Sequence, residues 1–462
     1  MDRWLRTALD YIPSWLDFQV REAQQPGCLL AIVHDGKVVL EHATGVANLD
    51  TGEKLTPRHR FRIASHTKAF TAAGILKLRE QKRLGLDDPA GKYVTGLHPR
   101  VAEARLAQLL SHSAGLTRDG EDAGWFVGRK PYPATRELME ILSAPPVIEP
   151  GTRLKYSNPG FALLGLVIEN VTGQSYRRWI EREIVAAAGL RETQADGPPK
   201  RGTPFARGHT AMVPLGRRLV LKGAEPLRAI APAGGIVSTA ADTALFYNQL
   251  APGARHSVLS RASRRDMVHR HWRNQSQLET FYGYGMMSGS IGSWNWFGHG
   301  GGLFGYVSRT LTLPDAGATI SIFSNCSDGW CGAWAEGAVN AMRTLAAYGA
   351  PRRRVQGWAG RWWSEWGPFD LVPAGNKVLV ATPGFINPFL DHGAFEPSGR
   401  DTGKITVSTG YGSFGQTVRR VRNKRGKVVE VQFAGGRAWS EAKAAASLER
   451  LFGSGGKLRR RR

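Results

Sequence analysis

The spacing of apolar positions predicts a mixture of strands and helices over the first three quarters of the chain. Residues 27–47 alternate between apolar and polar positions around a turn at residues 34–37, which predicts a β-hairpin. Helical spacing marks residues 69–84, 161–171, 240–250 and 334–347, whereas strand-like runs return in residues 281–325. Residues 1–24 predict an amphipathic helix. Its apolar positions on or near one face are Trp4, Leu5, Leu9, Ile12, Trp15 and Leu16.

The pattern changes after residue 351. Residues 351–354 have the composition of a linker, and beyond them the apolar period stays near two, as in residues 378–380, 405–407 and 428–431. Glycine, asparagine and aspartate separate these runs, which is typical of a small all-β unit such as a barrel. We therefore predict a first domain over residues 1–350, a β-barrel domain over residues 356–452 and a basic tail over residues 453–462.

The charge of the chain is strongly positive. The formal net charge is +24 over 462 residues, and residues 351–462 hold 21 Lys and Arg against 8 Asp and Glu. A basic surface of this kind contacts nucleic acid or an anionic membrane in some proteins and is a solvated tail in others. No zinc finger, helix-turn-helix or single-strand-binding signature is visible, so we predict no specific nucleic-acid partner and a tail that is a simple charged extension.

Cysteine content and hydropathy indicate the compartment. The three cysteines, Cys28, Cys326 and Cys331, form no disulfide framework, which favours a reducing compartment. No apolar run reaches the ~18 residues that span a bilayer. The N-terminus lacks the apolar core and cleavage site of a signal peptide. The expected protein is therefore cytoplasmic, without a membrane span.

One stretch carries the first chemical signal. Ser65 and Lys68 stand three residues apart at the start of a predicted helix, so both side chains lie on one face. A serine needs an adjacent base to become a nucleophile at neutral pH, and a desolvated lysine can be that base. Read alone, the same pair could be an N-cap serine followed by a solvated lysine.

Further candidate residues lie on predicted loops. His112 closes a helix and could be catalytic or simply bonded to the backbone. Trp125 and Phe126 stand on a polar, glycine-rich loop, where exposed aromatic side chains often border a substrate cleft; the alternative is that the loop simply packs down. Tyr156 and Asn158 precede a helix on a loop flanked by proline and glycine.

A third motif, His299-Gly300-Gly301, completes an ordered set with Ser65-x-x-Lys68 and Tyr156-x-Asn158. This set resembles the serine β-lactamase and penicillin-binding-protein fold, in its class C and D-aminopeptidase branch, over roughly residues 15–350. Residues 110–116, 150–151 and 232–235 also resemble that family. The resemblance implies an α+β catalytic domain, with an antiparallel sheet flanked by helices plus an all-helical region.

The resemblance also implies a role for each residue. Ser65 forms an acyl-enzyme, while Lys68 and Tyr156 share the duty of general base. Which of the two holds the proton in the free enzyme stays open, because such a pair titrates as a unit. Asn158 orients Lys68 and bonds a substrate amide, and His299 bonds Tyr156 or the substrate.

The glycine-rich strand has its own implied roles. Gly300 and Gly301 let the strand approach the substrate backbone closely. The backbone N–H groups of Ser65 and Gly302 form the oxyanion hole. Where class C β-lactamases have Lys-Thr-Gly, this chain has His299, a pattern associated in the family with D-aminopeptidases and esterases. A neutral histidine binds the carboxylate of a β-lactam less well than a lysine does.

The region after residue 357 resembles the lipocalin-like barrel that follows the catalytic domain in some relatives. Self-compartmentalising peptidases of the CubicO group and peptide-cyclising thioesterases of the penicillin-binding-protein type share this layout. The resemblance rests on residues 362–363, 410–415 and 433–436. It implies that a homo-oligomer is possible. We predict no cofactor, and no metal because the histidines show no zinc-ligand spacing. We expect the barrel to govern assembly or access to the site.

The leading functional prediction is a serine hydrolase that cleaves amide bonds of small peptides or amides, next to D-residues. Three alternatives stay open at this point. They are an esterase with the same residues, a peptide-cyclising thioesterase or transpeptidase, and a non-catalytic binding protein on the same scaffold. A binding protein has no need of Lys68 and Tyr156 together, which weighs against the last of them.

Overall fold

A computed structural model describes residues 3–199, 201–223, 225–275, 279–408 and 412–453. Its helices are α1 Arg3–Glu22, α2 Thr67–Glu80, α3 Pro99–Ala102, α4 Leu106–Leu110, α5 Thr135–Leu142, α6 Asn158–Thr172, α7 Tyr176–Ile180, α8 Ala231–Gly234, α9 Ala240–Gln249, α10 Arg261–Val268, α11 Cys331–Tyr348, α12 Arg353–Gln356 and α13 Glu441–Phe452. Its strands are β1 Gly27–His34, β2 Lys37–Asn48, β3 Glu53–Lys54, β4 Phe61–Arg62, β5 Val237–Ser238, β6 Trp272–Arg273, β7 Phe281–Tyr282, β8 Met287–Ile291, β9 Trp294–Leu303, β10 Tyr306–Leu313, β11 Ala318–Ser324, β12 Gly360–Ser364, β13 Gly367–Ala374, β14 Lys377–Ala381, β15 Gly393–Pro397, β16 Thr402–Val407, β17 Thr417–Arg422, β18 Val428–Phe433 and β19 Gly436–Ala438.

The chain forms two compact units. One comprises Gln24–Ala335, and the other combines Met1–Ala23 with Glu336–Arg462. The predicted first domain, residues 1–350, included α1 and all of α11. In the structure, α1 and residues 336–348 of α11 belong to the unit that contains the barrel. Residues 1–350 and 356–452 therefore stay predictions of independently folding domains. Of the predicted basic tail, only Gly453 lies within the described residues.

An antiparallel sheet is the centre of the unit Gln24–Ala335. The strand order is β3-β2-β1-β11-β10-β9-β8-β7-β6, so the N-terminal hairpin lies beside the last strands of the unit. β1 is buried along nearly its whole length, and its partner β11 is entirely buried. The α9 helix packs against both strands, which explains why β1 is a nearly continuous apolar run. In β11 the polar side chains Thr319, Ser321 and Ser324 are buried together with the apolar ones.

The helical part of this unit surrounds α2. Nearly every side chain of α2 is buried, because α6, α8 and the turn before α2 pack around it. Capping residues define the limits of α6. The Ser157 hydroxyl accepts a hydrogen bond from the Gly160 N–H group, and Gly173 ends the helix in the left-handed conformation. The predicted combination of antiparallel sheet, flanking helices and a helical region is confirmed.

The second unit contains a nearly closed antiparallel barrel. Strands β12 to β19 follow one another in sequence order, and a bridge between Trp363 and Trp439 links the first strand to the end of the last. Val355 and Trp358, from α12 and the residues after it, pack with Leu371, Phe395 and inward-facing valines in its core. The predicted barrel is confirmed, and its interior is filled by side chains.

The N-terminal helix belongs to the same unit as the barrel. The predicted apolar positions Leu5, Ile12 and Trp15 are fully buried. The Trp15 indole N–H donates to the Phe385 carbonyl at 3.2 Å. Among the helices that the structure describes, this one included, none is sufficiently long and apolar to cross a membrane.

Candidate active site

Ser65 occupies a short 3₁₀ turn, Ala64–His66, between β4 and α2. Ala64 has a φ of +49°, a left-handed conformation that costs a non-glycine residue about 1–2 kcal/mol. The Thr67 hydroxyl stabilises this turn, because it donates to the Ala64 carbonyl at 2.7 Å and accepts from the Ile236 N–H group at 3.0 Å. The serine is thereby held at the N-terminus of a buried helix.

His66 connects this turn to the central sheet through hydrogen bonds. Its Nδ1 atom lies 3.0 Å from the Ile63 carbonyl oxygen and its Nε2 atom 2.9 Å from the Thr310 hydroxyl. Burial lowers the pKa of His66 to about 3, so the ring is neutral, donates through Nδ1 and accepts at Nε2. The local sequence pattern gave no sign of this role for His66, because its hydrogen-bond partner Thr310 lies on β10, 244 residues further along the chain.

Lys68 lies directly beside the serine. Its Nζ atom is 3.1 Å from Ser65 Oγ, 2.7 Å from Asn158 Oδ1 and 2.8 Å from the Ala233 carbonyl oxygen. The side chain is fully buried, and this burial holds the pKa of Lys68 well below its usual range against the opposing effect of the Asp119 carboxylate. The three contacts suit a neutral amine. Such an amine donates hydrogen bonds to Asn158 Oδ1 and to the Ala233 carbonyl oxygen, and it can accept one from the Ser65 hydroxyl.

Asn158 connects the lysine to a carboxylate. Its Nδ2 atom donates to Asp119 Oδ1 at 2.5 Å, while Asp119 Oδ2 accepts from Arg118 Nε at 3.0 Å. Because the carboxylate accepts from the amide nitrogen, it fixes the orientation of the Asn158 oxygen toward Lys68. Asp119 is nearly buried and lies on a polar loop whose composition did not distinguish it from its neighbours.

Tyr156 packs against the same lysine. Lys68 Nζ lies 4.7 Å from the centre of the tyrosine ring, and the tyrosine hydroxyl shares a hydrogen bond with Ser65. Burial raises the pKa of Tyr156 well above its usual value, so the phenol stays protonated. His112 stacks 4.1 Å from this ring and accepts a hydrogen bond from the Ser157 N–H group through Nδ1. His112 therefore supports Tyr156 and takes the backbone-bonded role among the two considered for it.

His299 faces a different tyrosine from the expected one. Its Nε2 atom lies 3.0 Å from the Tyr282 hydroxyl and its Nδ1 atom 2.6 Å from the Gly300 carbonyl oxygen. Since a carbonyl only accepts, Nδ1 carries the proton and Nε2 accepts from Tyr282. Burial, with the nearby His66 and Lys68, keeps the pKa of His299 well below its usual range. Tyr282 stands directly before Gly283 in a strand pattern, which gave no chemical signal.

The glycines of β9 permit a close approach to the serine turn. A Cβ atom on Gly301 would lie 2.2 Å from the Ile63 carbonyl oxygen, so only glycine fits there. A Cβ atom on Gly302 would meet nothing within 4 Å. Beyond Gly298, β9 pairs with β10 on one side only, which leaves the other edge of residues 299–303 facing the serine turn.

A narrow cleft opens beside Ser65. It is lined by Ala64, Ser65, Trp125, Phe126, Asn158 and Gly302, together with Leu227, Ile230, Ala233, Gly234 and Leu303. Trp125 and Phe126 stack at 4.0 Å beside this cleft, and their role in substrate binding stays a prediction. Trp125 is only 2 % exposed because it also packs in the core, which agrees with the second of the two interpretations of this loop.

The described residues hold no group of three or more His, Cys, Asp or Glu side chains that could bind a metal ion. Cys28, Cys326 and Cys331 are buried and none of them forms a disulfide. Cys331 donates toward the Val307 carbonyl, and burial raises its pKa well above the usual value. These cysteines have the character of core residues and do not reach the cleft.

Comparison with curated proteins identifies partial relatives. The chain is 34% identical over 177 residues to Protein flp of Staphylococcus aureus (strain N315), which covers 37% of this chain and 34% of that protein. It is 29% identical over 202 residues to a putative D-alanyl-D-alanine carboxypeptidase of Escherichia coli O157:H7, covering 40% of this chain and 46% of that protein. The matched part thus spans about a third to a half of these relatives.

Solved structures match over a greater length. The octameric penicillin-binding protein homologue from Pyrococcus abyssi has a TM-score of 0.64 at 24% identity, over 93% of this chain and 99% of that one. D-amino acid amidase from Ochrobactrum anthropi SV3 has a TM-score of 0.61 at 26% identity, over 73% of this chain and 99% of that one. The family model described as Beta-lactamase matches residues 2–333. The chain therefore belongs to the Beta-lactamase family of serine hydrolases.

Proposed function

We propose that this protein is a serine hydrolase that forms an acyl-enzyme at Ser65 and cleaves amide bonds of small peptides or amides containing D-amino acids. The observation that carries the proposal is the contact between the buried Lys68 amine and the Ser65 hydroxyl at 3.1 Å. An unprotonated amine at this distance can remove the serine proton as the oxygen attacks a carbonyl carbon.

Lys68 is the resting base in this mechanism. Its pKa is lowered by burial, whereas the pKa of Tyr156 is raised, so the amine is free and the phenol is protonated before substrate binds. When Ser65 attacks, its proton passes to Lys68. The Tyr156 hydroxyl, bonded to Ser65, can then deliver a proton to the leaving nitrogen, and Lys68 restores that proton.

The strand edge of β9 supplies the other half of the mechanism. We assign the oxyanion hole to the backbone N–H groups of Ser65 and Gly302, both of which line the cleft. One such donor typically contributes ~3–4 kcal/mol to transition-state stabilisation. Gly300 and Gly301 leave room for the substrate backbone along this edge, and Asn158 can bond the substrate amide. In deacylation, water takes the place of the leaving amine and Lys68 accepts its proton as the water oxygen attacks; Lys68 returns this proton to Ser65 Oγ when the acyl bond breaks.

His299 favours amides over β-lactams as substrates. A buried neutral imidazole, bonded to Tyr282 and to its own strand, offers no positive charge for the carboxylate of a β-lactam. The proposal that the substrates contain D-amino acids is supported by the similarity to D-amino acid amidase of Ochrobactrum anthropi and to the putative D-alanyl-D-alanine carboxypeptidase of Escherichia coli.

Substitution of the nucleophile tests the proposal. Ser65→Ala should abolish turnover and labelling by a fluorophosphonate probe while leaving the melting temperature within a few degrees, because the side chain is small and partly exposed. Rates of the unaltered protein on D-amino-acid p-nitroanilides, their L-isomers, p-nitrophenyl esters and nitrocefin then define the substrate class. Labelling of a different serine would refute the mechanism, and a preference for L-anilides would refute the assignment of D-residues.

A homo-oligomer is proposed alongside this activity. Its support is the octameric homologue from Pyrococcus abyssi, whose fold matches this chain over 93% of its length. Light scattering coupled to size-exclusion chromatography measures the number of subunits, and a monomer at micromolar concentration would contradict the proposal.

A further inference from the structure

The connections of the barrel fall into two chemically different sets. Consecutive antiparallel neighbours place alternate connections at opposite ends of a barrel. One end holds residues 375–376, 398–401 and 423–427, together with α12, which leads into β12. We call it the basic end. The Arg352 N–H group confirms this grouping, because it donates to the Gly375 carbonyl at 2.8 Å.

Exposed cations cover the basic end. They are Arg352, Arg353, Arg354, Arg400, Lys424, Arg425 and Lys427. Within the described part of the chain, none of these side chains has an acidic partner within 4 Å. Asp401 is the carboxylate of this end, and it is already occupied by Arg420 and Arg422, at 3.1 and 2.8 Å. The positive charge of the surface is therefore not neutralised within the unit.

Buried contacts hold the cations in place. Arg420 is 9% exposed and lies with its guanidinium carbon 3.9 Å from the centre of a Trp358 ring. It donates to the carbonyl of Gly357, after α12, and to that of Arg400 in the turn between β15 and β16. Through these two hydrogen bonds, Arg420 connects the end of α12 with residues 398–401.

The turn after β17 is fixed by its own hydrogen bonds. Asn423 Oδ1 accepts from the Arg425 and Lys427 N–H groups, at 3.0 Å each. The basic end is consequently pre-organised, so its cations lose little backbone entropy on binding.

The opposite end of the barrel has a contrasting surface. Its connections carry Trp366, which is 100% exposed, Phe414, which is 71% exposed, and Phe385 and Leu390. No large apolar side chain is exposed among the described residues of the basic end. The separation argues against base stacking at these connections, because single-stranded nucleic acid is bound by aromatic and basic side chains together.

We propose that the basic end binds the surface of an anionic phospholipid bilayer by electrostatic attraction, without insertion. Short turns and one helical turn at one end of a barrel present their charges across a broad face. None of them protrudes as a long helix or ribbon that would enter a duplex groove. Each lysine or arginine near an anionic membrane adds to the attraction, so the seven exposed cations of this end suffice for a peripheral contact.

Vesicle sedimentation with the full chain tests this proposal. The vesicles contain about 30 mol% phosphatidylglycerol in phosphatidylcholine, or phosphatidylcholine alone, at about 0.05 M and 0.5 M salt. One variant carries Lys424→Glu, Arg425→Glu and Lys427→Glu. A matched control carries Lys37→Glu, Lys54→Glu and Arg261→Glu, which change the net charge equally at exposed positions of the other unit. All variants keep residues 454–462.

The expected result is binding to the anionic vesicles alone, lost at the higher salt. The partition coefficient should fall at least about tenfold in the barrel variant and change less than about twofold in the control. If the charge reversals lower the melting temperature, the substitutions Lys424→Gln, Arg425→Gln and Lys427→Gln replace them and should still weaken binding several-fold.

Three outcomes would overturn the proposal. The first is vesicle binding by the barrel variant equal to that of the unaltered protein. The second is an equal loss in the control, which would show attraction by net charge alone. The third is binding of a double-stranded oligonucleotide, measured by fluorescence anisotropy, that is tighter than vesicle binding and lost in the barrel variant. That result would make the basic end a nucleic-acid surface.

Discussion

At the scale of single residues, desolvation decides which group is the base in the proposed mechanism. Lys68 is fully buried and lies among uncharged oxygen atoms of Ser65, Asn158 and Ala233, so its ammonium form gains little from its surroundings. The same burial disfavours the phenolate of Tyr156. One environment therefore moves two pKa values in opposite directions, which separates the proton acceptor from the proton donor.

The lowered pKa of Lys68 predicts the pH dependence of acylation. The rate should be constant where the amine is free and should fall as the pH drops through the folded-state pKa of Lys68, because an ammonium group cannot accept the serine proton. Stopped-flow measurement of acylation by a chromogenic ester across the acid range gives the profile. Lys68→Arg, which stays protonated throughout, should be inactive at every pH. An acid limb that persists in this variant would contradict the assignment.

Tyr282 is predicted to be a positioning residue for His299. Tyr282→Phe removes the hydroxyl that donates to His299 Nε2, so kcat/KM should fall about two- to tenfold, the effect of one hydrogen bond. Tyr284→Phe, two residues further along the chain, is the matched control, because Tyr284 stacks on His271 and does not line the cleft. A change in the pH profile of Tyr282→Phe alone would indicate positioning. Equal losses in both variants would indicate a general packing effect.

At the scale of elements, the site depends on the contact between β9 and the turn Ala64–His66. Gly301 faces the Ile63 carbonyl, and His66 joins the same turn to β10 through Thr310. The nucleophile is thus positioned by two neighbouring strands of the sheet in addition to its own helix. This arrangement explains a strained residue, Ala64, directly before the serine.

A pair of glycine substitutions tests this contact. Gly301→Ala should lower the free energy of unfolding by about 1–3 kcal/mol, because its methyl group would overlap the Ile63 carbonyl and force β9 away from the turn. Gly302→Ala should leave stability nearly unchanged, since its methyl group would meet open space. Urea denaturation measures both values. Similar stabilities for the two variants would show that β9 can shift without cost.

At the scale of the whole molecule, the chemistry is confined to one compact unit. Ser65, Lys68, Tyr156, Asn158 and His299 all lie within Gln24–Ala335, whereas α1 and the barrel belong to the other unit. The apolar face of α1 has its partners there, as the bond from Trp15 to Phe385 shows. Removal of the barrel alone would therefore leave that face uncovered.

Two shortened chains should behave differently for this reason. Residues 24–350 should react with a fluorophosphonate at Ser65 within about threefold of the rate of the full chain, because the site lies in a unit with its own core. Residues 1–350 should react similarly but associate, because α1 exposes its apolar face. Probe kinetics and light scattering measure both effects. Failure of both chains to react would mean that the barrel contributes to the site.

The sequence by itself determined the elements and the main motifs. Apolar periodicity located α2, α6 and the strands of the barrel, since such periodicity depends on residues only a few positions apart. The order of Ser65-x-x-Lys68, Tyr156-x-Asn158 and His299-Gly300-Gly301 indicated the family, which the family model confirms over residues 2–333. Spacing along a helix also predicted that Lys68 reaches Ser65, because that contact is local.

Only the tertiary structure decided which distant residues support this site. Asp119 behind Asn158, Tyr282 behind His299 and Thr310 behind His66 come from separate loops and strands. The placement of α1 with residues 336–462 is equally non-local. Such contacts arise where packing brings buried polar groups together and each must find a partner. Which partner each group finds depends on the three-dimensional packing, so it cannot be inferred from a local pattern of polar and apolar residues.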